Sequence, residues 1–348
     1  MGNNFICMKK KDSGGGDGSR SKRLNRSQRK LLAEEDMLHR RALSMAIHQA
    51  QLSQRFDGSV SRRVGSTGSR RRNLSNPFSG GKQKQVEEFL ESLKVKNFIL
   101  VHGERFGAWC WYKTIASLEE SGLSVTALDL AGSGFNLKDT NSVLTVEEYS
   151  TPLTEHLENL PEGEKVILVG HSTGGACISY ALERFPEKIS KAIFICGTMV
   201  SDDQRPFDPF AEELGSAERF MKESQFLIYG NGEDNPPTGF MFEKQHMKGL
   251  YFNQSPAKDI ALAMVSMRPV PLGPMMEKLS LTAERYGKGR RFYVQTLDDR
   301  ALSPDAQETA VRENPPEGVF KIKGSDHSPF FSKPLSLHKI LLDIAQIP

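Results

Sequence analysis

The chain has 348 residues, 38% of them apolar and 26% charged, with a formal net charge of +3. That length can bury a full core, as one large domain or two modest ones. No stretch reaches about 18 consecutive apolar residues and the N-terminus lacks the apolar core of a secretory signal, so neither a spanning helix nor a secreted product is expected.

The small net charge hides an asymmetry. Residues 1–84 carry 19 Lys and Arg against 6 Asp and Glu, whereas the remainder carries 27 against 37. A basic arm therefore precedes an acidic body. The arm is rich in Ser, Gly and Arg and almost free of apolar runs, a composition expected to stay disordered alone. Its exception, Leu31 to Leu52, stripes one helical face only loosely and reads as a marginal helix. Three readings of the arm stand side by side. Arg and Ser enrichment resembles an organelle transit peptide, although Glu34, Glu35 and Asp36 break the acidic-poor rule. Met1-Gly2 followed by Cys7 and Lys9-Lys10-Lys11 suggests a lipidated membrane anchor, although Ile6 stands where myristoylation wants Ser or Thr. A solvated tail, able to hold nucleic acid nonspecifically, is the third.

From Asn97 onward the pattern is regular. Candidate strands are Phe98–Val101, Val125–Leu128, Val166–Val169, Ala192–Cys196, Arg291–Thr296 and Val319–Ile322. Helical runs lie between them: Trp109–Glu120, Val146–Leu160, Ala176–Phe185, Asp305–Arg312 and Leu335–Ala345. Strand then helix, repeated, predicts an α/β fold with a mostly parallel sheet covered on both faces. One interval breaks the rhythm. Between Cys196 and Arg291 the chain is far too long for a plain crossover and too apolar for a linker. It reads as an inserted cap over the carboxyl ends of the strands, where open α/β sheets bind ligands. The expected division is an N-terminal extension over 1–86, a core over 87–198 and 288–348, and a cap over 199–287. The cysteines Cys7, Cys110, Cys177 and Cys196 lack metal-like spacing, and three lie in apolar segments, as buried thiols in a reducing compartment would.

The stretch "VILVGHSTGGACISY", residues 166–180, places Ser172 between Gly170 and Gly174. Such a G-x-S-x-G arises by chance in about one chain in ten of this length, so context must carry the reading. A short apolar run precedes it, and Cys177, Ile178, Ala181 and Leu182 follow at helical spacing. Strand, tight turn and helix form the setting of a nucleophile elbow, where small neighbours let the backbone lift the serine oxygen above the sheet. The bland alternative is a serine N-cap.

A serine hydroxyl needs a base, and the base needs an acid to fix its tautomer. In this fold both follow the serine, on loops after strands. Of eight histidines only His327, in "FKIKGSDHSPFF", follows a strand near the C-terminus. After the strand "RRFYVQTLDD", Asp298 and Asp299 both qualify as the acid and spacing cannot choose between them; Asp202 and Asp203 are the runners-up. The oxyanion of an acyl-transfer intermediate needs backbone N–H donors. The Thr173 amide is one, and the turn at His102-Gly103 offers the Glu104 amide as the other.

Together "FILVHGERFGAWCWYK", "VTALDLAGSG", "KVILVGHSTGG", "SMRPVP" and "KGSDHSPFFSKP" resemble the plant methylesterases, an α/β-hydrolase family that includes the hydroxynitrile lyases. The resemblance runs from about Asn97 to the C-terminus. It implies cofactor-free cleavage of methyl esters of small carboxylic acids, of the indole-acetate, jasmonate or salicylate type, with no nucleic-acid partner. Some relatives are similar to enzymes demethylating chlorophyll breakdown products. By the same analogy the acid falls on Asp299, the nucleophile on Ser172 and the base on His327. Read with the arm, it points to the chloroplast, with a membrane-associated cytosolic protein as the alternative, and a homodimer as the assembly to look for. Gly103 and Ser328 stand where lyases carry Thr and Lys, which argues against lyase chemistry. One departure bears on rate. Relatives have a small residue where this chain has Glu104, and a carboxylate about 6 Å from a developing oxyanion costs on the order of 1–3 kcal/mol at an effective dielectric of 20. Arg105 beside it is a partial offset. A weakly catalytic, ligand-binding receptor on the same scaffold is the rival expectation.

Overall fold

The computed structural model describes residues 88–211 and 226–348. The expectations placed on the arm, including the helix over Leu31 to Leu52 and the environment of Cys7, lie outside the described residues.

In chain order the elements begin with β1 (Asn97–Val101), α1 (Tyr112–Glu120), β2 (Ser124–Leu128), α2 (Val146–Tyr149) and α3 (Thr151–Glu158). They continue with β3 (Val166–His171), α4 (Gly174–Arg184) and β4 (Ile189–Ile195). An intervening segment carries β5 (Leu227–Ile228), β6 (Gly239–Phe240), α5 (Lys244–Tyr251), α6 (Ala257–Ser266), β7 (Val270–Pro271) and α7 (Leu272–Met276). The chain ends with β8 (Arg291–Thr296), α8 (Pro304–Glu313), β9 (Gly318–Ile322), α9 (Pro329–Ser332) and α10 (Pro334–Gln346).

Six strands form one sheet in the order β2-β1-β3-β4-β8-β9, and every neighbouring pair is parallel. The unbroken apolar runs explain which strands lie inside. Every residue of β3 and β8 is buried, as helices on both faces of a parallel sheet require, whereas edge strands β2 and β9 remain partly exposed. Each strand expected from the sequence coincides with one of these six, the run Ala192–Cys196 extending one residue past the end of β4 at Ile195. One predicted helix divides. The run over Val146–Leu160 breaks at Ser150 into α2 and α3, where Pro152 in the first turn of α3 has no amide to continue the ladder.

The intervening segment adds a three-stranded antiparallel sheet, β5-β6-β7. Its buried side chains Phe240, Phe242, Met247, Tyr251 and Phe252 join the same apolar cluster as β1, β3, β4 and β8. At about 1.5–3 kcal/mol for each large side chain fully buried, that packing holds the segment against the sheet. It lies against the edge where β1, β3, β8 and β9 end, as the contacts of Tyr251 with Glu104 and His327 mark. Among the described residues, no helix is long and apolar enough to cross a membrane.

Candidate active site

Ser172 follows the last residue of β3 and stands at φ 49°, in the left-handed region that side-chain-bearing residues rarely adopt. The strain is held by the surroundings. The Ser172 amide donates to the Ile195 carbonyl at 3.2 Å, and the Ser172 carbonyl accepts from the amides of Gly175 and Thr198 at 2.9 Å. A side chain on Gly174 would strike the His102 carbonyl at 2.4 Å, and one on Gly103 would strike the Ser172 Cβ at 2.6 Å. Glycine is therefore required where the β1 loop passes the turn. The Ser172 hydroxyl does not cap α4; it meets an imidazole.

Three side chains from three strand ends converge. The Ser172 Oγ lies 2.8 Å from His327 Nε2, and His327 Nδ1 lies 2.8 Å from Asp299 Oδ2. None of the three is more than 5% exposed. Asp299 follows β8 and His327 follows β9. Of the two adjacent aspartates, Asp298 is exposed and its Oδ2 accepts only from Gln254 Nε2 at 3.3 Å, whereas the Asp299 carboxylate is fully enclosed in donors. The Asp299 Oδ1 accepts from the amides of Ala301 at 2.9 Å and Leu302 at 3.0 Å. Its Oδ2 accepts from Thr296 Oγ1 at 2.8 Å and Gln307 Nε2 at 3.2 Å besides His327. Asp202 and Asp203 lie elsewhere, exposed, bonded to the Leu281 amide and to Lys278 respectively.

The electrostatics match the contacts. Burial opposes a charged His327 ring, but the Asp299 carboxylate against it outweighs burial, so the ring titrates well above 6.5. A neutral His327 with its proton on Nδ1, toward Asp299, presents Nε2 as an acceptor to the serine hydroxyl. Behind it, His171 Nε2 donates to the His327 carbonyl at 2.7 Å, and Cys196 Sγ donates to the same oxygen at 3.4 Å. Burial, reinforced by repulsion from His327, pushes His171 down to about 3, so it stays a neutral donor. His171, Cys196 and His327 offer ligand atoms within 4.8 Å of one another; His171 Nε2 and Cys196 Sγ donate to the His327 carbonyl, while the His327 ring is held by Ser172 and Asp299.

The Thr173 amide sits at the N-terminus of α4, where an unpaired N–H and the helix dipole favour negative charge. Negative charge is already there. The Glu104 Oε2 accepts from the Thr173 amide at 3.3 Å and from the Thr173 hydroxyl at 2.9 Å, while Oε1 accepts from the Tyr251 hydroxyl. The sequence placed this carboxylate some 6 Å from the expected oxyanion position; it lies instead on the Thr173 amide, one of the two donors expected to serve that position. Burial pushes the Glu104 pKa up, but the opposed charge of His327 and the Tyr251 hydroxyl pull it below its ordinary value, so the group is ionised. Arg105 makes no ion pair with Glu104. Its guanidinium donates to Met247 Sδ at 2.8 Å and lies 4.0 Å from the Phe242 ring centre.

Several contributors gave no signal in the sequence. Thr296 and Gln307 hold Asp299; Tyr251 covers His327 at 4.7 Å between ring centres. Asp326 accepts from the Gln254 amide and Ser255 hydroxyl, each at 2.8 Å, tying the His327 loop to the segment after α5. His102 was legible only as part of a turn. Its Nε2 accepts from the Leu130 amide at 3.0 Å and its Nδ1 donates to the Gly103 carbonyl at 2.7 Å, fixing the loop that offers the Glu104 amide.

Comparisons with known proteins agree with this fold. The model described as the alpha/beta hydrolase family matches residues 98–337. The Arabidopsis thaliana protein named "Putative methylesterase 12, chloroplastic" is 82% identical over 351 residues, covering 100% of both chains. Methyl jasmonate esterase 1 of Vitis vinifera is 39% identical over 254 residues, covering 72% of this chain and 97% of its own. Among solved structures, the methylesterase protein MES16 from Arabidopsis aligns with a TM-score of 0.65 at 34% identity, covering 73% of this chain and 100% of that one.

Proposed function

The chain belongs to the plant methylesterases of the α/β-hydrolase family, whose reaction is hydrolysis of carboxylic methyl esters, and on that premise we propose how its residues divide the work. Ser172 is the nucleophile, His327 the base and Asp299 its orienting acid. His327 takes the Ser172 proton as the oxygen attacks the ester carbonyl. The amides of Glu104 and Thr173 hold the oxyanion, and methanol leaves with the proton that His327 returns. Water, activated by the same imidazole, then cleaves the acyl-enzyme and frees the acid. The observation that carries this reading is the unbroken chain of 2.8 Å contacts from the Ser172 hydroxyl through His327 to Asp299.

Residues 199–287 act as the cap over a core of 87–198 and 288–348, and the acyl group is a small acid of the indole-acetate, jasmonate or salicylate type. The chain is chloroplastic: relatives matching its full length carry that word in their names, and residues 1–86 have the Ser- and Arg-rich composition of a transit peptide. The test is methyl-ester turnover by wild type and Ser172→Ala. A folded Ser172→Ala protein retaining full turnover overturns the assignment.

A second reading, a slow ligand-binding receptor on this scaffold, is favoured by the Glu104 carboxylate on the Thr173 amide. A fluorophosphonate probe separates the two. Labelling at Ser172 supports the hydrolase; no labelling together with tight binding of a free acid supports the receptor.

A further inference from the structure

The Glu104 side chain takes no part in the proton relay, yet its carboxylate stands beside it. The Oε2 accepts from the Thr173 amide at 3.3 Å and from the Thr173 hydroxyl at 2.9 Å, and Thr173 directly follows Ser172. The Oε1 accepts from the Tyr251 hydroxyl, and the Tyr251 ring lies 4.7 Å from that of His327. Only 2% of Glu104 is exposed, so water screens little of its charge. Burial disfavours that charge, but the His327 ring, then the hydroxyls of Tyr251 and Ser172, hold its pKa below the ordinary value. Among the described residues no lysine or arginine pairs with it; the neighbouring Arg105 donates to Met247 Sδ instead.

One carboxylate oxygen on the Thr173 amide and the other toward the residue that covers the base is the arrangement expected of the free acid that ester hydrolysis leaves at Ser172. Glu104 thus imitates the product. The consequence differs between the two ends of the reaction. A methyl ester arrives uncharged, and its oxygen gains charge only during attack. Once water has cleaved the acyl-enzyme, the acid gives its proton to solvent and becomes a carboxylate beside a second, poorly screened carboxylate. Like charges that close repel, and each disfavours the ionised form of the other.

We propose that Glu104 sets the preference of the site for the neutral ester over its own free acid, so that the enzyme expels its product and keeps turning over as acid accumulates. Selectivity of this kind comes from repelling the wrong ligand, not from gripping the right one more tightly. The proposal rests on the methylesterase reading and adds to it the residue that decides which species the site holds. Glu104 then has two separable effects: slower attack when acid is absent, and freedom from product inhibition when acid is present.

The test pairs each free acid with its primary amide, which keeps the skeleton and shape without the charge: indole-acetate with indole-acetamide, jasmonate with its amide, salicylate with salicylamide. Calorimetry on the full-length protein at neutral pH reads both members. In every pair that binds, the amide is expected to bind at least about 10-fold more tightly than the acid. In Glu104→Gln, which keeps the shape of the side chain, the acid should gain at least about 10-fold while the amide stays within about 3-fold. Equal binding of acid and amide by the unmutated protein, or no gain by the acid in Glu104→Gln, overturns the proposal. Inhibition of the unmutated enzyme needs no variant to fold: the inhibition constant of the acid should exceed the KM of its methyl ester by at least about 10-fold, and a smaller margin overturns it. Turnover with acid and amide bound alike removes the role of Glu104 and leaves the esterase reading. An amide preference that Glu104→Gln abolishes, without turnover of any of the three methyl esters, does the reverse.

Discussion

The Glu104 Oε2 lies 3.3 Å from the Thr173 amide nitrogen, one of the two donors proposed to hold the oxyanion in acyl transfer. An ionised carboxylate there competes with the charge that develops on the substrate oxygen, and the reaction must displace it. Glu104→Ala is therefore expected to raise kcat on a neutral methyl ester by at least about 10-fold, since a like charge beside the oxyanion costs a few kcal/mol at an effective dielectric of 20. Tyr251→Phe removes the hydroxyl that holds Oε1 and should give a smaller rise. Steady-state kinetics of both variants decide the matter; an unchanged or lower kcat for Glu104→Ala contradicts it.

Asp299 and its neighbour separate cleanly. Asp299→Asn should lower kcat by about 10⁴-fold, because the amide favours the wrong tautomer of His327. Asp298→Asn should stay within about 3-fold, since that side chain is exposed and makes one weak side-chain contact. Equal losses at both positions would contradict the role of Asp299.

Only the neutral ring of His327 can take a proton, and Asp299 holds its pKa well above 6.5 against the effect of burial. The inactive imidazolium therefore persists to higher pH, and the acidic limb of kcat/KM should fall above 6.5. Asp299→Asn should move that limb down. The same shift has a stability sign. With the folded pKa above the unfolded one, the His327 contribution is fully present below 6.5 and lost as pH rises through the raised value. A pH series of kcat/KM and of Tm reads both.

Gly103→Ala tests the close approach at the turn. An added Cβ meets Ser172 Cβ at 2.6 Å and the His171 carbonyl at 3.0 Å, both parts of a rigid elbow. A loss of about 1–3 kcal/mol in unfolding free energy is expected, the usual range for overpacking, together with reduced turnover. Denaturant titration measures the first; an unaltered midpoint would contradict it.

Much of this was legible along the chain. Apolar runs without alternation marked the buried parallel strands, because period and composition are local properties read in windows of a few residues. Ser172 was legible for the same reason: its glycines, strand and helix are all within fifteen residues. His327 emerged from order along the chain. The choice of Asp299 over Asp298 was not local, since one residue's shift along a loop turns a carboxylate from the imidazole to solvent; Thr296, Gln307 and the loop amides make that decision.

What sequence determined, then, was the sheet, the elbow and the kinds of side chain available for chemistry. Tertiary structure alone decided where two charged neighbours, Glu104 and Arg105, direct their groups: one onto the Thr173 amide, the other among methionines some 140 residues downstream. The physical reason is that a buried charge takes its environment from whatever the fold brings against it, and those contacts come from α4 and α5, elements whose meeting no local pattern encodes.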